Sequence, residues 1–259
     1  MQPISIRAEV IFRIGGFPVT NATLLGFITF VLLASVALAL RKRLALVPGR
    51  IQNAAEIVAE GSLDLMQSVL GTRRQAEKYF PLIFTVFLFV VSANWLGLLP
   101  GVSSVVIRAP DGAVVPLLRS PASDLNFTFA LALIVVTFAN AFGVAATGLG
   151  ARLRFFFNLK GPIDFFVGIL ELISEFAKII SFAFRLFGNI FAGEVLLAIM
   201  AFLMPYLAPL PFMLLEVFVG FIQAFIFGML TLVFVSMAIS HGDDSDGHGR
   251  EKVGQISHA

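Results

Sequence analysis

Cysteine is absent from this sequence of 259 residues, while tryptophan occurs once and tyrosine twice. The lack of cysteine excludes disulfides and thiolate metal sites, although it does not identify the cellular compartment. Charged residues are also scarce, because they make up 13% of the chain, about half of the share that is usual in soluble domains. Hydrophobic residues account for 58%, and the mean hydropathy is +0.95. A folded protein of this composition would expose large apolar patches and aggregate in water, so we expect lipid to be its solvent.

Other absences narrow the functional classes. The sequence has no Walker-type phosphate loop, and its three histidines fall in a polar segment over residues 241–259, so we expect no cofactor and no metal. Although the net charge is +2, the basic residues form short clusters between apolar segments, which argues against a nucleic-acid partner. Residues 1–18 lack the pattern of a cleavable secretory signal, so we expect none.

Long apolar segments predict an all-α integral membrane protein that forms a single membrane domain over residues 1–259. A bilayer core of about 30 Å requires roughly 20 apolar residues per helix. Five segments meet this requirement, and a polar tail follows the last of them. We predict spans over 22–40, 79–99 and 125–149, a long tilted helix over 162–204, a last span over 212–239 and a cytoplasmic tail over 240–259.

Residues 48–70 differ from the predicted spans because acidic side chains interrupt the apolar pattern. Glu56, Glu60 and Asp64 interrupt a set of apolar residues that partly follows helical spacing: Ile51, Ala54, Ala55, Val58, Leu63, Leu65 and Val69. This pattern predicts an amphipathic helix at the membrane interface. An ordinary solvated helix remains the alternative.

The distribution of basic residues predicts the orientation of the chain. With five crossings, one side holds Arg41, Lys42, Arg43, Arg50, Arg73, Arg74, Lys78, Arg152, Arg154, Lys160, Arg250 and Lys252. The other side holds Arg7, Arg13, Arg108 and Arg119. The excess of positive charge places the first side in the cytoplasm. We therefore expect the N-terminus outside and the C-terminus in the cytoplasm, in a bacterial inner membrane.

An arginine inside an apolar segment is the most informative single residue. Arg185 has no acidic residue within one helical turn. An arginine at the centre of a bilayer costs about 2.5–3.5 kcal/mol on insertion scales, so such residues usually serve a function. Snorkelling of the side chain to the interface is the alternative. The surrounding segment 162–204 would be about 64 Å long as one helix, so it is strongly tilted, broken or partly interfacial.

Helical spacing places other polar residues around this arginine. On the long helix, Glu171 and Lys178 share its face, Asn189 lies one turn beyond it, and Glu194 lies nine residues beyond it. Glu175 and Lys178 have the i,i+3 spacing of an ion pair. In the last span, Glu216 and Gln223 are seven residues apart. A hairpin of the two helices would bring Gln223 level with Asn189 and Glu216 within about a turn of Glu194. Each glutamate alone also fits a neutral structural acid.

Four short motifs resemble one known family, subunit a of F-type ATP synthases. Residues 184–194, Phe-Arg-Leu-Phe-Gly-Asn-Ile-Phe-Ala-Gly-Glu, resemble its arginine signature, and residues 222–227, Ile-Gln-Ala-Phe-Ile-Phe, resemble the motif of its last helix. Residues 94–100 and 124–126 are similar to the end of its second span and the start of the next. The order of the motifs matches over residues 20–240.

The resemblance implies a non-catalytic, ion-translocating subunit, with the ATP chemistry on other subunits. The two C-terminal helices would form a tilted hairpin against a ring of c subunits, and the peripheral-stalk b subunits and other ATP synthase subunits would be further partners in the lipid bilayer. Two offset half-channels would lead to a carboxylate on the ring.

The resemblance also implies roles for individual residues. Arg185 would face the ring and separate the half-channels, supported by Asn189 and Gln223. Glu194 and Glu216 would line the outer half-channel. Further candidates for the ion path are Glu171, Lys178 and Ser181 toward the cytoplasm, together with Asn94 and Asp124.

Two other functions remain open from the residues alone. A stand-alone ion channel or secondary transporter would conduct without partners, and a membrane scaffold would tolerate the loss of Arg185. The coupling ion, proton or sodium, is also open, because the two versions differ mainly in the c subunit.

Overall fold

The computed structural model describes residues 8–42, 44–45, 47–99, 101–102, 105–108, 112, 114–148, 162–204, 207 and 209–240. These residues form six α-helices, two short β-hairpins and one 3-10 turn. The helices are α1 (Asn21–Lys42), α2 (Arg50–Leu70), α3 (Arg73–Leu98), α4 (Leu125–Thr147), α5 (Pro162–Leu203) and α6 (Pro209–Ser240). The strands are β1 (Val10–Ile14), β2 (Phe17–Thr20), β3 (Val106–Arg108) and β4 (Val114–Pro116), and the 3-10 turn is Pro121–Ser123.

Five of the described helices, all except α2, are long and apolar enough to cross a membrane. Many of their large apolar side chains are exposed on the surface of the bundle, as expected where lipid is the solvent. The prediction of an all-α integral membrane protein with five spans is confirmed. Of the predicted tail over residues 240–259, Ser240 is the last residue of α6, and residues 241–259 lie outside the described residues.

Two helices begin earlier than the apolar pattern indicated. Helix α3 starts at Arg73 instead of residue 79, because the side chain of Thr72 caps it by accepting a hydrogen bond from the backbone N–H of Gln75. Helix α6 starts at Pro209 instead of residue 212, and proline is well suited to a first helical position. Polar or proline residues therefore extend these helices beyond their apolar centres.

Helix α5 is continuous over its 42 residues. Its length is therefore about 63 Å at 1.5 Å per residue, roughly twice the thickness of a bilayer core. The glycines Gly188 and Gly193 lie within it without ending it. Among the geometries open from the sequence, a broken helix is thus ruled out.

The structure contains two β-hairpins that the sequence analysis did not predict. Strands β1 and β2 pair antiparallel around Gly15 and Gly16, whose positive φ angles of 57° and 91° suit a tight hairpin turn. Strands β3 and β4 also pair antiparallel. The buried side chain of Asn21 links the two hairpins, because its Nδ2 lies 3.3 Å from both Glu9 Oε2 and the Pro116 carbonyl. The hairpins therefore lie together at one end of the bundle.

Helices α3, α4, α5 and α6 form the core of the bundle. Helix α3 packs mainly against α6, and α4 packs against both α5 and α6. Phe182 of α5 contacts two rings of α6, with centroid distances of 4.4 Å to Phe227 and 5.1 Å to Phe234. Gly143 of α4 allows a close approach to α6, because a Cβ there would lie 2.9 Å from the Ala238 carbonyl oxygen. This packing holds α5 and α6 side by side.

Helix α2 packs against α3 at its C-terminal end, where Met66 and Leu70 are buried. Arg73, at the start of α3, pairs with Glu60 and Asp64 of α2 and with Glu77 of its own helix. Two of the three acidic residues that interrupt the apolar pattern of 48–70, Glu60 and Asp64, therefore have a cationic partner. All three carboxylates that pair with Arg73 are exposed, so each pair contributes little to stability.

Candidate functional site

Arg185 lies on the outward surface of α5. Its neighbours Ala183 and Leu186 are buried in the core of the bundle, whereas Arg185 itself is exposed. Among the described residues it takes part in no ion pair. The guanidinium stays charged at any physiological pH. A permanent positive charge is thus present on the lateral surface of a membrane helix, with no counter-charge among the residues that the structure describes.

Asn189 and Gln223 join the two C-terminal helices beside this arginine. Asn189 lies one turn beyond Arg185, and its Nδ2 donates a hydrogen bond to Gln223 Oε1 of α6. Gln223 is 1% exposed, and its Nε2 has no hydrogen-bond partner among the described residues. The structure therefore brings together the two amides that the hairpin model predicted to be level.

Glu216 of α6 packs against α5 at the residue before Glu194. The carboxylate of Glu216 packs against the backbone at Gly193, so closely that a Cβ on Gly193 would overlap it. Glu216 is buried, and its Oε1 has no hydrogen-bond partner in the described part of the chain. Glu216 therefore lies within a helical turn of the level of Glu194, as predicted, and glycine at position 193 makes this close packing possible.

Arg119 completes this group, and it had been predicted only as a loop residue on the outer side. Its Nε donates to Glu194 Oε2 at 3.1 Å, and the two side chains are only 11% and 26% exposed. Its guanidinium carbon also lies 5.9 Å from the ring centre of Phe191. We call Arg119, Glu194 and Glu216 the outer cluster. It contains two carboxylates and one cation.

The segment after Arg119 explains why a loop residue reaches the core. Ser120 to Asp124 is buried, and it includes the 3-10 turn. Gly97 of α3 permits this, since a Cβ there would lie 2.7 Å from the Ser120 Cβ. The small residues of this segment, Ser-Pro-Ala-Ser, were the available sign in the sequence that it packs between helices.

Asn94 and Asp124, two further candidates, make helix contacts in the structure. Asn94 Nδ2 donates to the Gly220 carbonyl at 3.1 Å and so joins α3 to α6. Asp124 caps α4 by accepting from the Asn126 N–H at 3.0 Å. These contacts explain why both polar side chains are buried without requiring a role in ion transfer.

A second charged group lies on the other side of Arg185, toward the N-terminal half of α5. Lys178 Nζ lies 2.7 Å from Glu175 Oε1, which confirms the predicted pair, and 4.0 Å from Glu171 Oε1. Asn140 of α4 donates from Nδ2 to the other Glu175 oxygen at 2.9 Å. We call Glu171, Glu175, Lys178 and Asn140 the inner cluster. Asn140 was not predicted, because nothing in its local sequence distinguishes it.

A cavity of about 260 Å³ extends from Lys178 of the inner cluster to Arg185. It is lined by Ser174, Lys178, Ser181 and Arg185, together with apolar side chains from α6. A water molecule occupies about 30 Å³ in the liquid, so the cavity has room for several. The predicted residues Lys178, Ser181 and Arg185 thus border one space.

The two clusters flank Arg185 along α5. Lys178 precedes it by seven residues and Glu194 follows it by nine, which are axial separations of about 10.5 and 13.5 Å. Carboxylates exchange protons, whereas the arginine does not. The arrangement therefore consists of two groups that can bind and release protons, separated by a fixed positive charge.

Comparison with known proteins identifies one family. The family model described as ATP synthase A chain matches residues 23–236. The ATP synthase subunit a of Moorella thermoacetica is 32% identical over 238 residues, covering 92% of this chain and 98% of that protein. That of Campylobacter jejuni subsp. jejuni is 34% identical over 206 residues, covering 78% and 83%. That of a Sulfurihydrogenibium species is 35% identical over 202 residues, covering 78% and 88%.

Proposed function

The chain belongs to the ATP synthase subunit a family, whose members are non-catalytic membrane subunits of the F0 sector, and we propose that it carries the proton path that drives rotation of a ring of c subunits. In this proposal, protons enter through one half-channel, cross with a turning ring of c subunits and leave through a second, offset half-channel. Arg185 separates the two half-channels. ATP is made on other subunits of the complex.

The observation that carries the proposal is the exposed charge of Arg185 between two carboxylate clusters. An unpaired arginine at this depth is costly in lipid, so a partner's carboxylate is the expected counter-charge. A ring carboxylate that reaches Arg185 would be favoured in its ionised form and would release its proton. The positive charge would also repel a proton that moves directly from one cluster to the other.

The clusters supply the two half-channels. Glu194 and Glu216 lie in the outer one, and Glu171, Lys178 and Ser181 lie along the inner one, where the cavity reaches Arg185. The hydrogen bond between Asn189 and Gln223 keeps α5 and α6 in register beside the arginine. The two half-channels must stay separate, because a proton that crossed directly between them would not turn the ring. The free energy of one charge crossing 100 mV, about 2.3 kcal/mol, would then be lost.

The orientation and partners follow from the same proposal. The excess of basic residues places the side of Arg41 and Arg73 in the cytoplasm of a bacterium, with the complex in its inner membrane. The exposed face of α5 and α6 that carries Arg185 would contact the c ring. The peripheral-stalk b subunits would bind elsewhere on the bundle.

Replacement of Arg185 tests this function in the assembled complex. We expect Arg185→Ala to abolish ATP synthesis in energised membrane vesicles, while Arg74→Ala, an exposed arginine at the start of α3, retains it within about twofold. Synthesis at the normal rate in the Arg185→Ala complex would refute the proposal.

Purification of the chain together with a c ring and a soluble ATPase head distinguishes the proposed function from its two rivals, a stand-alone channel and a scaffold. A stand-alone channel would also conduct when reconstituted alone.

A further inference from the structure

We propose that Arg119 is a positioning residue that holds Glu194 as a fixed anion and thereby leaves Glu216 as the carboxylate that exchanges protons. This inference rests on the proposed function, because it divides the labour within the outer half-channel. Three observations carry it: the ion pair itself, the rigid segment that supplies Arg119, and the unpartnered state of Glu216.

The Arg119–Glu194 pair is short and largely shielded from solvent. Nε and Oε2 are 3.1 Å apart, and the Arg119 side chain is almost fully covered. In such surroundings the loss of either partner leaves an uncompensated charge, which is costly. Because arginine cannot give up its proton, an ionised Glu194 is the state that balances the charge of Arg119.

The backbone that carries Arg119 is held in place by its own contacts. The N–H of Ser123 donates to the Ser120 carbonyl at 3.2 Å, and Gly97 of α3 packs directly on Ser120. On the other side, Phe191 of α5 faces the guanidinium. The cation is therefore presented to Glu194 by buried structure in α3, the 3-10 turn and α5 rather than by an exposed loop.

Glu216 has no comparable partner. In the described part of the chain it forms no ion pair, and its Oε1 is buried without a hydrogen bond. Its carboxylate packs against Gly193, next to Glu194 in the sequence. Two neighbouring carboxylates rarely both ionise in a buried site, and here only Glu194 has a cation. The exchangeable proton is therefore expected on Glu216.

The resulting step involves a proton alone. A hydrated proton from the outer side binds the Glu216 carboxylate and gives a neutral carboxyl group. That group then releases a proton to the next acceptor, the ionised carboxylate of the c ring, and returns to its anionic form. Glu194 keeps its charge throughout and makes the outer half-channel attractive to cations.

A double-mutant cycle in the assembled complex tests the pairing. We expect Arg119→Gln and Glu194→Gln each to reduce ATP-driven proton pumping per complex by about tenfold or more, because each leaves one buried charge. The double variant Arg119→Gln/Glu194→Gln leaves none, so its pumping should exceed that of Arg119→Gln by about threefold or more. A double variant that pumps no better than Arg119→Gln would refute the pairing, because a purely steric role for Arg119 predicts additive losses.

Adding Glu216→Gln to the double variant tests the second half of the inference. The recovered pumping should fall to background, because the proton carrier is then missing. Pumping that survives this third substitution would show that Glu216 is not the carrier. If Arg119→Gln prevents assembly, the amount of subunit that co-purifies with the c ring replaces pumping as the readout. More assembly of the double variant than of Arg119→Gln supports the pairing, and an equal amount refutes it.

Two controls make the result specific. Arg108→Gln removes an exposed arginine from β3, on the same side of the bundle, and should leave pumping unchanged. Arg185→Ala in the same membranes tests the proposed function itself. Loss of pumping in Arg185→Ala together with an additive cycle would refute only the role of Arg119, whereas normal pumping in Arg185→Ala would refute the proposed function.

Discussion

The outer and inner clusters contain similar groups but obtain their cations differently. In the outer cluster, Arg119 reaches Glu194 from a segment 75 residues away in the sequence. In the inner cluster, Lys178 pairs with Glu175 at i,i+3 on the same helix. The first arrangement depends on tertiary packing, and the second depends mainly on helical spacing. We therefore expect substitutions in the outer cluster to have larger effects than those in the inner cluster.

Each cluster also contains one held carboxylate and one freer carboxylate. Both oxygens of Glu175 have partners, Lys178 and Asn140, whereas Glu171 lies 4.0 Å from Lys178. In the outer cluster Glu194 is held, and Glu216 is not. The held carboxylates balance the fixed cations, and the freer ones are better suited to exchange protons.

Among the substitutions that compare the surroundings of the two clusters, the largest effect is expected at Gly193, where the Glu216 carboxylate is most tightly packed. Gly193→Ala would place a methyl group on the Glu216 carboxylate, so we expect proton pumping to fall by about tenfold or more. Because alanine favours helices over glycine, loss of α5 itself would not explain such a result. Gly61→Ala is the matched control, since a Cβ there meets nothing within 4 Å. Equal pumping in both variants would contradict the close packing of Glu216 on α5.

A smaller effect is expected from the held carboxylate of the inner cluster. Glu175→Gln leaves Lys178 with only the more distant Glu171, so we expect a three- to tenfold reduction in pumping, or about 0.7–1.4 kcal/mol. The comparison is with Glu194→Gln in the outer cluster, measured in the same vesicles. A larger loss for Glu175→Gln than for Glu194→Gln would reverse the expected order of the two clusters.

The effect of Asn140→Ala should be smaller again. It removes one hydrogen bond to Glu175 but leaves the ion pair with Lys178, so we expect pumping to fall by about two- to threefold. The loss should disappear in a Glu175→Gln background, because both substitutions act through the same carboxylate. Additive losses in the double variant would show that Asn140 acts elsewhere.

The smallest effect is expected outside both clusters, at the exposed charges between α2 and α3. Arg73→Ala removes three ion pairs whose carboxylates are all exposed, so we expect a destabilisation of about 1 kcal/mol or less and unchanged pumping. Thermal unfolding of the complex at low and high salt measures this effect, which salt should diminish. A pumping defect as large as that of Glu175→Gln would place Arg73 in the ion path.

The difference between contacts set by helical spacing and contacts set by tertiary packing also explains what could be predicted from the sequence. The five spans follow from apolar length, and the contacts of Lys178 with Glu175 and of Asn189 with Gln223 follow from helical spacing and one reversal of the chain. The partners Arg119 and Asn140 could not be found this way, because they come from α4 and the segment before it. The β-hairpins escaped prediction because strands of three to five residues carry too little alternation to be recognised.

The most direct measurement is the number of protons pumped per ATP hydrolysed by the whole complex with Arg185→Ala, compared with Arg74→Ala. If Arg185 separates the outer from the inner cluster, this ratio should fall to background in Arg185→Ala and stay at the wild-type value in Arg74→Ala. A wild-type ratio in an assembled Arg185→Ala complex would contradict the separation of the two half-channels by this residue.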